Sequence, residues 1–220
     1  MGAEERMSPA ARSLAGKRVS VNVSPVQFRQ KDFVDIVNAA LTESGIDPAR
    51  LEIEVTEGVL IDDDKRAEQI LKQIKKLGLS IALDDFGTGY ASLGYLSRFP
   101  FDTIKIDRSF VREITVSENA RAIVTSIAGL GNGLKMRVVA EGVEALEQAA
   151  MLADIGCQEL QGFLLGHPMP VDDLDKLSPE RIAGIVDSAR RLRRAAAEQA
   201  PTPADITSEA ASTALMQFAV

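Results

Sequence analysis

The stretch IALDDFGTG, residues 81–89, places two adjacent acids and a glycine-containing loop directly after an apolar run. A carboxylate at the point where a buried strand emerges is costly unless it caps a helix, pairs with a cation or binds a metal ion. The same pattern follows other apolar runs, at Glu54 and Glu57, at Asp107, and at Glu141 and Glu144. This repetition predicts one shared site, and a hard metal ion is the occupant that fits it best.

Short runs rich in Val, Ile and Leu alternate with stretches that mostly show helical periodicity. The runs fall at 19–24, 51–57, 79–85, 103–107, 137–141 and 159–165. This alternation predicts parallel strands with right-handed crossovers, in either an open doubly wound sheet or a closed barrel. Polar residues at nearly every strand end favour the barrel, because closure brings those ends to one mouth. The predicted fold class is therefore α/β, a (β/α)8 TIM-type barrel.

Helical periodicity ends at a glycine stop signal in two places. The apolar faces are Phe33, Ile36, Val37, Ala40 and Leu41 before Gly45, and Ile70, Leu71, Ile74 and Leu77 before Gly78. Further helices are predicted at about 117–130, 145–155 and 178–198. Near the end of the last helix, four arginines are expected to form a solvated face: Arg190, Arg191, Arg193 and Arg194.

A barrel of this class has eight strands, yet the eighteen residues before Val19 contain no strand-like run. The prediction is therefore an incomplete barrel of about six βα units whose first two strands are missing. The expected divisions are an N-terminal segment at 1–18, a partial barrel domain at 19–175, and a C-terminal helix with a flexible tail at 176–220.

The composition argues against several classes of function. A formal net charge of -7 disfavours non-specific binding to DNA or to anionic lipid. With Cys157 and His167 as the only cysteine and histidine, a zinc cluster or a Ser-His or Cys-His catalytic system lacks parts. No apolar stretch has the length of a membrane span, and the single cysteine favours a reducing, cytoplasmic location.

Asp84 and Asp85 are the sharpest metal-ligand candidates, since adjacent acids after a buried strand can serve two metal ions about 3.5–4 Å apart. Strand alternation allows Glu54 to point into the barrel mouth as a further ligand, with Glu57 holding a neighbouring loop. Asn22 offers a neutral amide oxygen beside the carboxylates. Taken singly, each has a plain alternative, which is a cap or solvent-facing acid for the carboxylates and a turn or cap for Asn22.

Lys105 alternates with apolar Ile104 and Ile106, so we expect it inside the barrel wall, where an unpaired ammonium is costly. Asp107 shares its face, which predicts a Lys105–Asp107 pair, either at the site or as a purely structural buried pair. Lys105 is also suited to stabilise negative charge that develops on a transferring phosphate.

Glu141 is the candidate general base, which takes a proton from a metal-activated water, and Glu144 completes the coordination or orients a neighbour. The alternative is a helix-opening acidic pair with no catalytic task. Gln161 reaches the same mouth from the last strand or makes a structural hydrogen bond. His167 is expected at the surface or in a cap, and Cys157 as a small buried apolar side chain.

Six motifs occur along the chain in this order: VNVSPVQF (21–28), EVTEGVL (54–60), DDFGTGYASLGYL (84–96), IKID (104–107), VVAEGVE (138–144) and QGFLLGHPMP (161–170). Together they strongly resemble the EAL family of bacterial cyclic di-GMP phosphodiesterases. The resemblance runs from about Val19 to Pro170. It implies a (β/α)8-type barrel that uses two Mg2+ or Mn2+ ions to hydrolyse cyclic di-GMP to linear pGpG. It also implies a homodimer, with a sensor or GGDEF domain upstream in the complete protein.

The resemblance also implies a role for each matching residue. Asn22, Glu54 and Asp84 resemble the ligands of the first metal, and Asp85 and Glu141 those facing the second metal or the nucleophilic water. Lys105 corresponds to a contact with phosphate or water, and Asp107, Glu144 and Gln161 complete the mouth. The family's mobile segment, which links dimerisation to metal binding, corresponds to Glu57, Phe86, Gly87, Thr88 and Gly89.

One departure from the family pattern is large. The Glu-Ala-Leu motif that names the family, and the arginine after it, are absent before Val19. This predicts a first-metal site that lacks one glutamate and a phosphodiesterase activity that is impaired in this chain. The alternative function is a non-catalytic regulatory module that binds cyclic di-GMP or a protein partner.

Overall fold

The computed structural model describes residues 16–61, 64–89, 93–170, 173 and 179–199. Nearly all of the predicted N-terminal segment, and the predicted tail after residue 199, lie outside these ranges.

Parallel strands form one six-stranded sheet, and their order across the sheet is their order along the chain. The strands are β1 (Val19–Asn22), β2 (Leu51–Thr56), β3 (Ser80–Phe86), β4 (Thr103–Ile106), β5 (Arg137–Ala140) and β6 (Glu159–Leu160). A doubly wound sheet reverses its strand order at a switch point, and this sheet does not. The predicted α/β fold of barrel type is therefore confirmed.

Helices lie between successive strands and after the last one. They are α1 (Pro25–Phe28), α2 (Phe33–Ser44), α3 (Gly58–Ile61), α4 (Asp64–Lys76), α5 (Leu93–Arg98), α6 (Arg108–Glu113), α7 (Glu118–Gly133), α8 (Leu146–Ile155) and α9 (Pro179–Gln199), with a 3-10 turn at Pro48–Arg50. The helices predicted at 117–130, 145–155 and 178–198 are confirmed with ends shifted by a few residues.

The apolar face of α2 is only partly covered. Phe33, Val37 and Leu41 are buried against the sheet, whereas Ile36 is 49% exposed. The cause is the position of β1 at an edge of the described sheet, where Val21 is also 43% exposed. The residues predicted for this face therefore divide between a core side and an open side.

The sheet is strongly curled. In a flat sheet, β1 and β6 would lie five strand spacings apart, roughly 24 Å at about 4.8 Å each. Arg18, which precedes β1, nevertheless brings its Nη2 atom to 3.7 Å from Oε1 of Glu159 on β6. Two side chains cannot bridge the distance of a flat sheet, so the six strands form a half-barrel whose concave face is lined by both ends of the sheet.

The strand predicted at 159–165 ends at Leu160. Beyond it the backbone turns, because the N–H groups of Leu165 and Gly166 both donate to the carbonyl oxygen of Gly162.

Within the described residues, no helix has both the length and the apolarity needed to cross a membrane.

Candidate metal centre

Polar side chains from five neighbouring strands meet at the carboxyl end of the half-barrel. We call this group the carboxyl-end cluster: Asn22, Glu54, Asp84, Asp85, Lys105 and Glu141. Strand register explains the convergence, since Asn22 pairs with Glu54, and Glu141 directly follows Ala140, the last residue of β5. The structure thus brings together the five principal metal-ligand candidates from the sequence, whereas Glu144 lies outside this group.

Lys105 lies at the centre of the cluster and is almost fully buried. Its Nζ atom is 2.6 Å from Glu54 Oε2, 2.6 Å from Glu141 Oε1 and 3.1 Å from Asp84 Oδ1. Burial lowers the pKa of Lys105, but hydrogen bonds with Glu141 and Glu54 outweigh this and raise it above its ordinary value. Lys105 is therefore a permanent cation that ties three strands to one another.

Asp107 does not form the predicted pair with Lys105 among the described residues. Because β4 ends at Ile106, Asp107 leaves the strand alternation and caps α6, where Oδ1 accepts the backbone N–H of Ser109 at 2.9 Å. Burial raises the pKa of Asp107, but the hydrogen bonds from Ser109 outweigh this and hold the pKa below its ordinary value. The predicted Lys105–Asp107 pair was therefore wrong, because Lys105 pairs with carboxylates that other strands supply.

A bulge in β3 explains how two adjacent acids reach one site. Normal alternation would send Asp84 and Asp85 to opposite faces of the sheet. Here the register with β4 shifts between Leu83 and Phe86, and Asp85 adopts a left-handed conformation with φ 53°. Aspartate tolerates this conformation better than most residues. The bulge therefore re-aims Asp85 toward the same end of the barrel as Asp84.

Asp84, Asp85 and Glu141 form a group that can hold a metal ion, because one carboxylate oxygen from each lies within 4.8 Å of the others. Burial raises the pKa of Asp85, and the nearby charges of Asp84 and Asp107 raise it further. Burial also raises the pKa of Glu141, although Lys105 opposes the shift. Crowded, partly desolvated carboxylates of this kind are stabilised by a bound cation.

The amide of Asn22 lies between two carboxylates of the cluster. With its nitrogen turned toward them, it donates to Glu54 Oε2 at 3.2 Å and to Asp84 Oδ2 at 3.3 Å. The opposite amide orientation places three oxygens around one point, which is the donor set of a hard divalent cation. Asn22 can therefore serve the site both without a metal ion, as a hydrogen-bond donor, and with one, as an oxygen ligand.

The charges of the cluster are not balanced. Glu54, Asp84 and Glu141 share one ammonium group, that of Lys105, which leaves two negative charges uncompensated before Asp85 is counted. A buried charge excess is costly unless another cation is bound. Donor chemistry and charge thus both fit a divalent metal ion.

Glu57 lies beyond the end of β2 and is buried against the loop that follows β3. Its Oε1 accepts the backbone N–H of Gly87 at 2.9 Å. A Cβ atom on Gly89 would lie 2.3 Å from Glu57 Oε2, so a side chain at that position would require the Glu57 carboxylate to move. Glu57 therefore fixes the loop next to Asp85, with Phe86 buried and Thr88 exposed.

The other candidates lie around this group. Asp107 and Glu144 line a cleft of about 530 Å³ beside Gly142. Gln161 is exposed, and its backbone N–H donates to the carbonyl of Ala140 at 2.9 Å, next to Glu141.

Residues without a predicted catalytic role have ordinary surroundings. His167 is exposed and stacks on Phe163, with ring centroids 4.3 Å apart. Burial raises the pKa of Cys157 to about 12, consistent with a half-buried apolar side chain. On α9, Arg190 is mostly exposed and Arg193 pairs with Asp154.

A second polar group fills the opposite end of the half-barrel, and sequence reasoning missed it. We call it the amino-end network: Arg18, Ser20, Glu52, Thr103, Arg137 and Glu159. Glu52 is 4% exposed, and its Oε2 accepts from Thr103 Oγ1 at 2.8 Å and Arg137 Nη2 at 2.5 Å. Strand alternation could have identified it, because Glu52 lies two residues before Glu54 and therefore shares one face of β2 with it.

Comparison with known proteins agrees with the fold. Residues 4–168 match the family described as EAL domain. A bifunctional diguanylate cyclase/cyclic di-GMP phosphodiesterase, MucR of Pseudomonas aeruginosa, is 44% identical over 156 residues, which are 71% of this chain and 23% of that protein's length. The chain spans about a fifth of the length of the curated relatives it matches.

Two solved structures show similar architecture. The MucR phosphodiesterase in complex with c-di-GMP has a TM-score of 0.71 and 44% identity, covering 73% of this chain and 65% of that one. A manganese and c-di-GMP complex of BlrP1 from Klebsiella pneumoniae has a TM-score of 0.66 and 35% identity, covering 76% of this chain and 46% of that one.

Proposed function

The chain belongs to the EAL domain family, and from this premise we propose that it is a metal-dependent phosphodiesterase domain that hydrolyses cyclic di-GMP to linear pGpG. One observation carries the proposal. Asp84, Asp85 and Glu141 bring carboxylate oxygens within 4.8 Å of one another at the barrel mouth, in a cluster with excess negative charge. An anionic phosphodiester cannot approach such a group unless cations are bound there.

The residues divide into two sets of oxygen donors. Asn22, Glu54 and Asp84 would hold one Mg2+ or Mn2+ ion, because the amide of Asn22 lies between the two carboxylates. Asp85 and Glu141 would hold the second ion, and Asp84 has a carboxylate oxygen within 4.8 Å of an oxygen of each. When bound, such ions lower the pKa of a water ligand and neutralise charge on the phosphate.

Glu141 is the proposed general base. Its pKa is raised by burial, which makes this carboxylate a better proton acceptor than an exposed glutamate. The 2.6 Å contact with Lys105 fixes one oxygen of Glu141 and leaves the other for a water molecule. Lys105 would in turn offset negative charge that develops on the phosphate.

The surrounding residues would position the substrate and regulate the site. Asp107, Glu144 and Gln161 are proposed to complete the rim of the mouth and to contact the dinucleotide or orient the cluster. Glu57 with residues 86–89 is proposed to transmit a change of the loop to Asp85, because the loop rests on the buried Glu57 carboxylate. A homodimer and an upstream GGDEF or sensor domain are proposed partners of this region.

The proposal is tested by incubating the purified chain with cyclic di-GMP and Mn2+ and separating the products by chromatography. We expect linear pGpG to form at the impaired rate that the missing glutamate of the Glu-Ala-Leu motif predicts, and we expect EDTA to abolish its formation. A parallel titration with Ca2+ in place of Mn2+ measures nucleotide binding. Binding without any turnover in Mn2+ would reject the enzyme in favour of a cyclic di-GMP-binding module. Absence of both would reject either nucleotide function.

A further inference from the structure

The outer face of the sheet is open beside β1, at one edge of the described sheet. All residues of β1 are exposed, whereas all residues of β4 are buried. A groove of about 270 Å³ lies here between β1, β2 and α2. Val21, Phe33, Ile36, Val37 and Ile53 contribute to its walls, and none of the residues that line it carries a charge. The groove therefore suits an apolar, uncharged segment.

The backbone of β1 directs hydrogen-bonding groups at this open edge. The N–H of Val23 donates to the carbonyl oxygen of Glu54 on β2 at 2.9 Å. Because backbone groups alternate sides along a strand, those of Ser20 and Asn22 point away from β2, where the described residues contain no further strand. An edge of this kind pairs readily with another extended segment.

The chain after α9 contains a segment that matches both features. Residues 200–209 hold two prolines and two acids, which is typical of a linker. Residues 211–220, ASTALMQFAV, contain no charge and no proline, and Met216, Phe218 and Val220 recur with the period of a strand. A segment this short is too short for a stable isolated helix, whereas a sheet edge supplies hydrogen-bond partners.

The end of α9 lies close enough for this segment to reach β1. Arg193, near the end of α9, pairs with Asp154 in the last turn of α8. Asp154 lies five residues before Glu159, whose Oε1 is 3.7 Å from Nη2 of Arg18, the residue before β1. Five extended residues span at most about 18 Å, whereas residues 200–213 span up to about 50 Å. The linker is therefore long enough to bring residues 214–220 to the edge of β1.

We propose that residues 214–220, the tail segment, bind the open edge of β1 as an additional strand. The tail segment pairs with the backbone of Ser20 and Asn22 and places its alternate apolar side chains on Val21 and Ile36 in the groove. Its docking does not depend on the proposed function. Because Asn22 also belongs to the carboxyl-end cluster, docking holds one proposed metal ligand in place.

Hydrogen–deuterium exchange of the whole chain, read at single backbone amides by NMR, tests the proposal. Phe218→Asp places a charge against the apolar groove, so the tail segment should detach. We expect the amides of Ser20 and Asn22, and alternate amides of the tail segment, to exchange at least about tenfold faster in this variant than in the unmodified chain. Ala204→Asp is the matched control, because it adds the same charge to the linker and should leave exchange unchanged.

The groove wall provides an independent test. Ile36→Asp places the charge on α2, where Ile36 is 49% exposed and the fold tolerates it. We expect the amides of the tail segment to lose their protection as they do in Phe218→Asp. Ile123→Asp is the matched control, because Ile123 is 39% exposed on α7 and does not line the groove.

Two results would overturn the proposal at once. The first is tail-segment amides that exchange as fast in the unmodified chain as in Phe218→Asp. The second is protection of Ser20 and Asn22 that survives Phe218→Asp, which would mean that another segment covers the edge.

A mixing experiment identifies which copy supplies the strand. Isotope-labelled Phe218→Asp chain is combined with an excess of unlabelled, unmodified chain. We expect the labelled Ser20 and Asn22 amides to keep exchanging fast, because each chain uses its own tail segment. Recovery of their protection in the mixture would contradict this and assign the edge to the tail segment of a second copy.

Discussion

The two ends of the half-barrel are built from the same strands, yet charges are balanced at one end and unbalanced at the other. Strand β2 supplies Glu52 to the amino-end network and Glu54 to the carboxyl-end cluster. At the amino end, Glu52 and Glu159 face two arginines, Arg18 and Arg137. At the carboxyl end, three carboxylates share the ammonium of Lys105.

This difference in charge balance suggests that the amino end serves stability and the carboxyl end serves function. At the amino end, a balanced and hydrogen-bonded ion network links residues of distant strands. A cluster with excess negative charge opposes folding unless a cation binds it, so its presence indicates a task other than stability. We therefore expect a substitution at one end to change the property assigned to that end and to leave the property of the other end unchanged.

The largest effect is expected for turnover. Glu141→Gln removes the proposed general base, and we expect cyclic di-GMP hydrolysis to fall by roughly 10²- to 10⁴-fold, with nucleotide binding largely retained. The matched control is Glu159→Gln, the same change at the amino-end network, which should leave turnover as it was. Product chromatography measures both. Equal turnover in Glu141→Gln and the unmodified chain would remove Glu141 as the base.

The next effect concerns stability at the other end. Arg137→Met takes the closest cation from Glu52, whose side chain is 5% exposed, and leaves a poorly compensated buried carboxylate. We expect the free energy of unfolding to drop by about 3 kcal/mol, and by the same amount in Mn2+ and in EDTA. Urea unfolding under both conditions measures this. A loss that Mn2+ reversed would mean that the amino-end network also binds metal.

A third change tests how metal contributes to stability. We expect Mn2+ at about 100 times its Kd to add about 2.7 kcal/mol to the unfolding free energy of the unmodified chain. Asp84→Asn should lose most of this increment, while in EDTA it should cost little because it relieves charge crowding. Glu52→Gln serves as the control that keeps the increment. Thermal unfolding with and without Mn2+ gives the values, and an undiminished increment in Asp84→Asn would contradict the assignment.

The smallest effect is expected where the two edges of the sheet meet. Arg18→Ala removes a partly exposed guanidinium that is 3.7 Å from both Glu52 and Glu159. We expect a loss of no more than about 1 kcal/mol, and a smaller one in high salt. Urea unfolding at two ionic strengths checks this. A loss as large as that of Arg137→Met would contradict this ranking, because it would show that Arg18 stabilises the half-barrel as much as Arg137 does.

The sequence predicted the fold and the membership of the cluster because both follow from one rule. Parallel strands with short apolar runs place their carboxyl ends at one edge, so acids such as Asp84 and Glu141 that follow those runs must converge there. Lys105 could be assigned to the barrel interior from alternation alone. These inferences need only the local period of the chain.

Other features depended on geometry that local patterns do not encode. The partners of Lys105 come from β2, β3 and β5, and only the curl of the sheet determines which carboxylates it reaches. The left-handed Asp85 cannot be distinguished from an ordinary strand residue by its sequence. Asp107 was misassigned because β4 ends one residue before it, and strand ends are the least certain boundaries.

The central claim is that the carboxyl-end cluster binds divalent metal and the amino-end network does not. Anomalous diffraction from crystals of the chain grown with Mn2+ tests it directly. We expect an anomalous peak for Mn2+ at about 2.0–2.3 Å from oxygens of Asp84 and its neighbours in the cluster. We expect no such peak at the amino-end network. Absence of density at the cluster, with Lys105 still bridging Glu54 and Glu141, would contradict it.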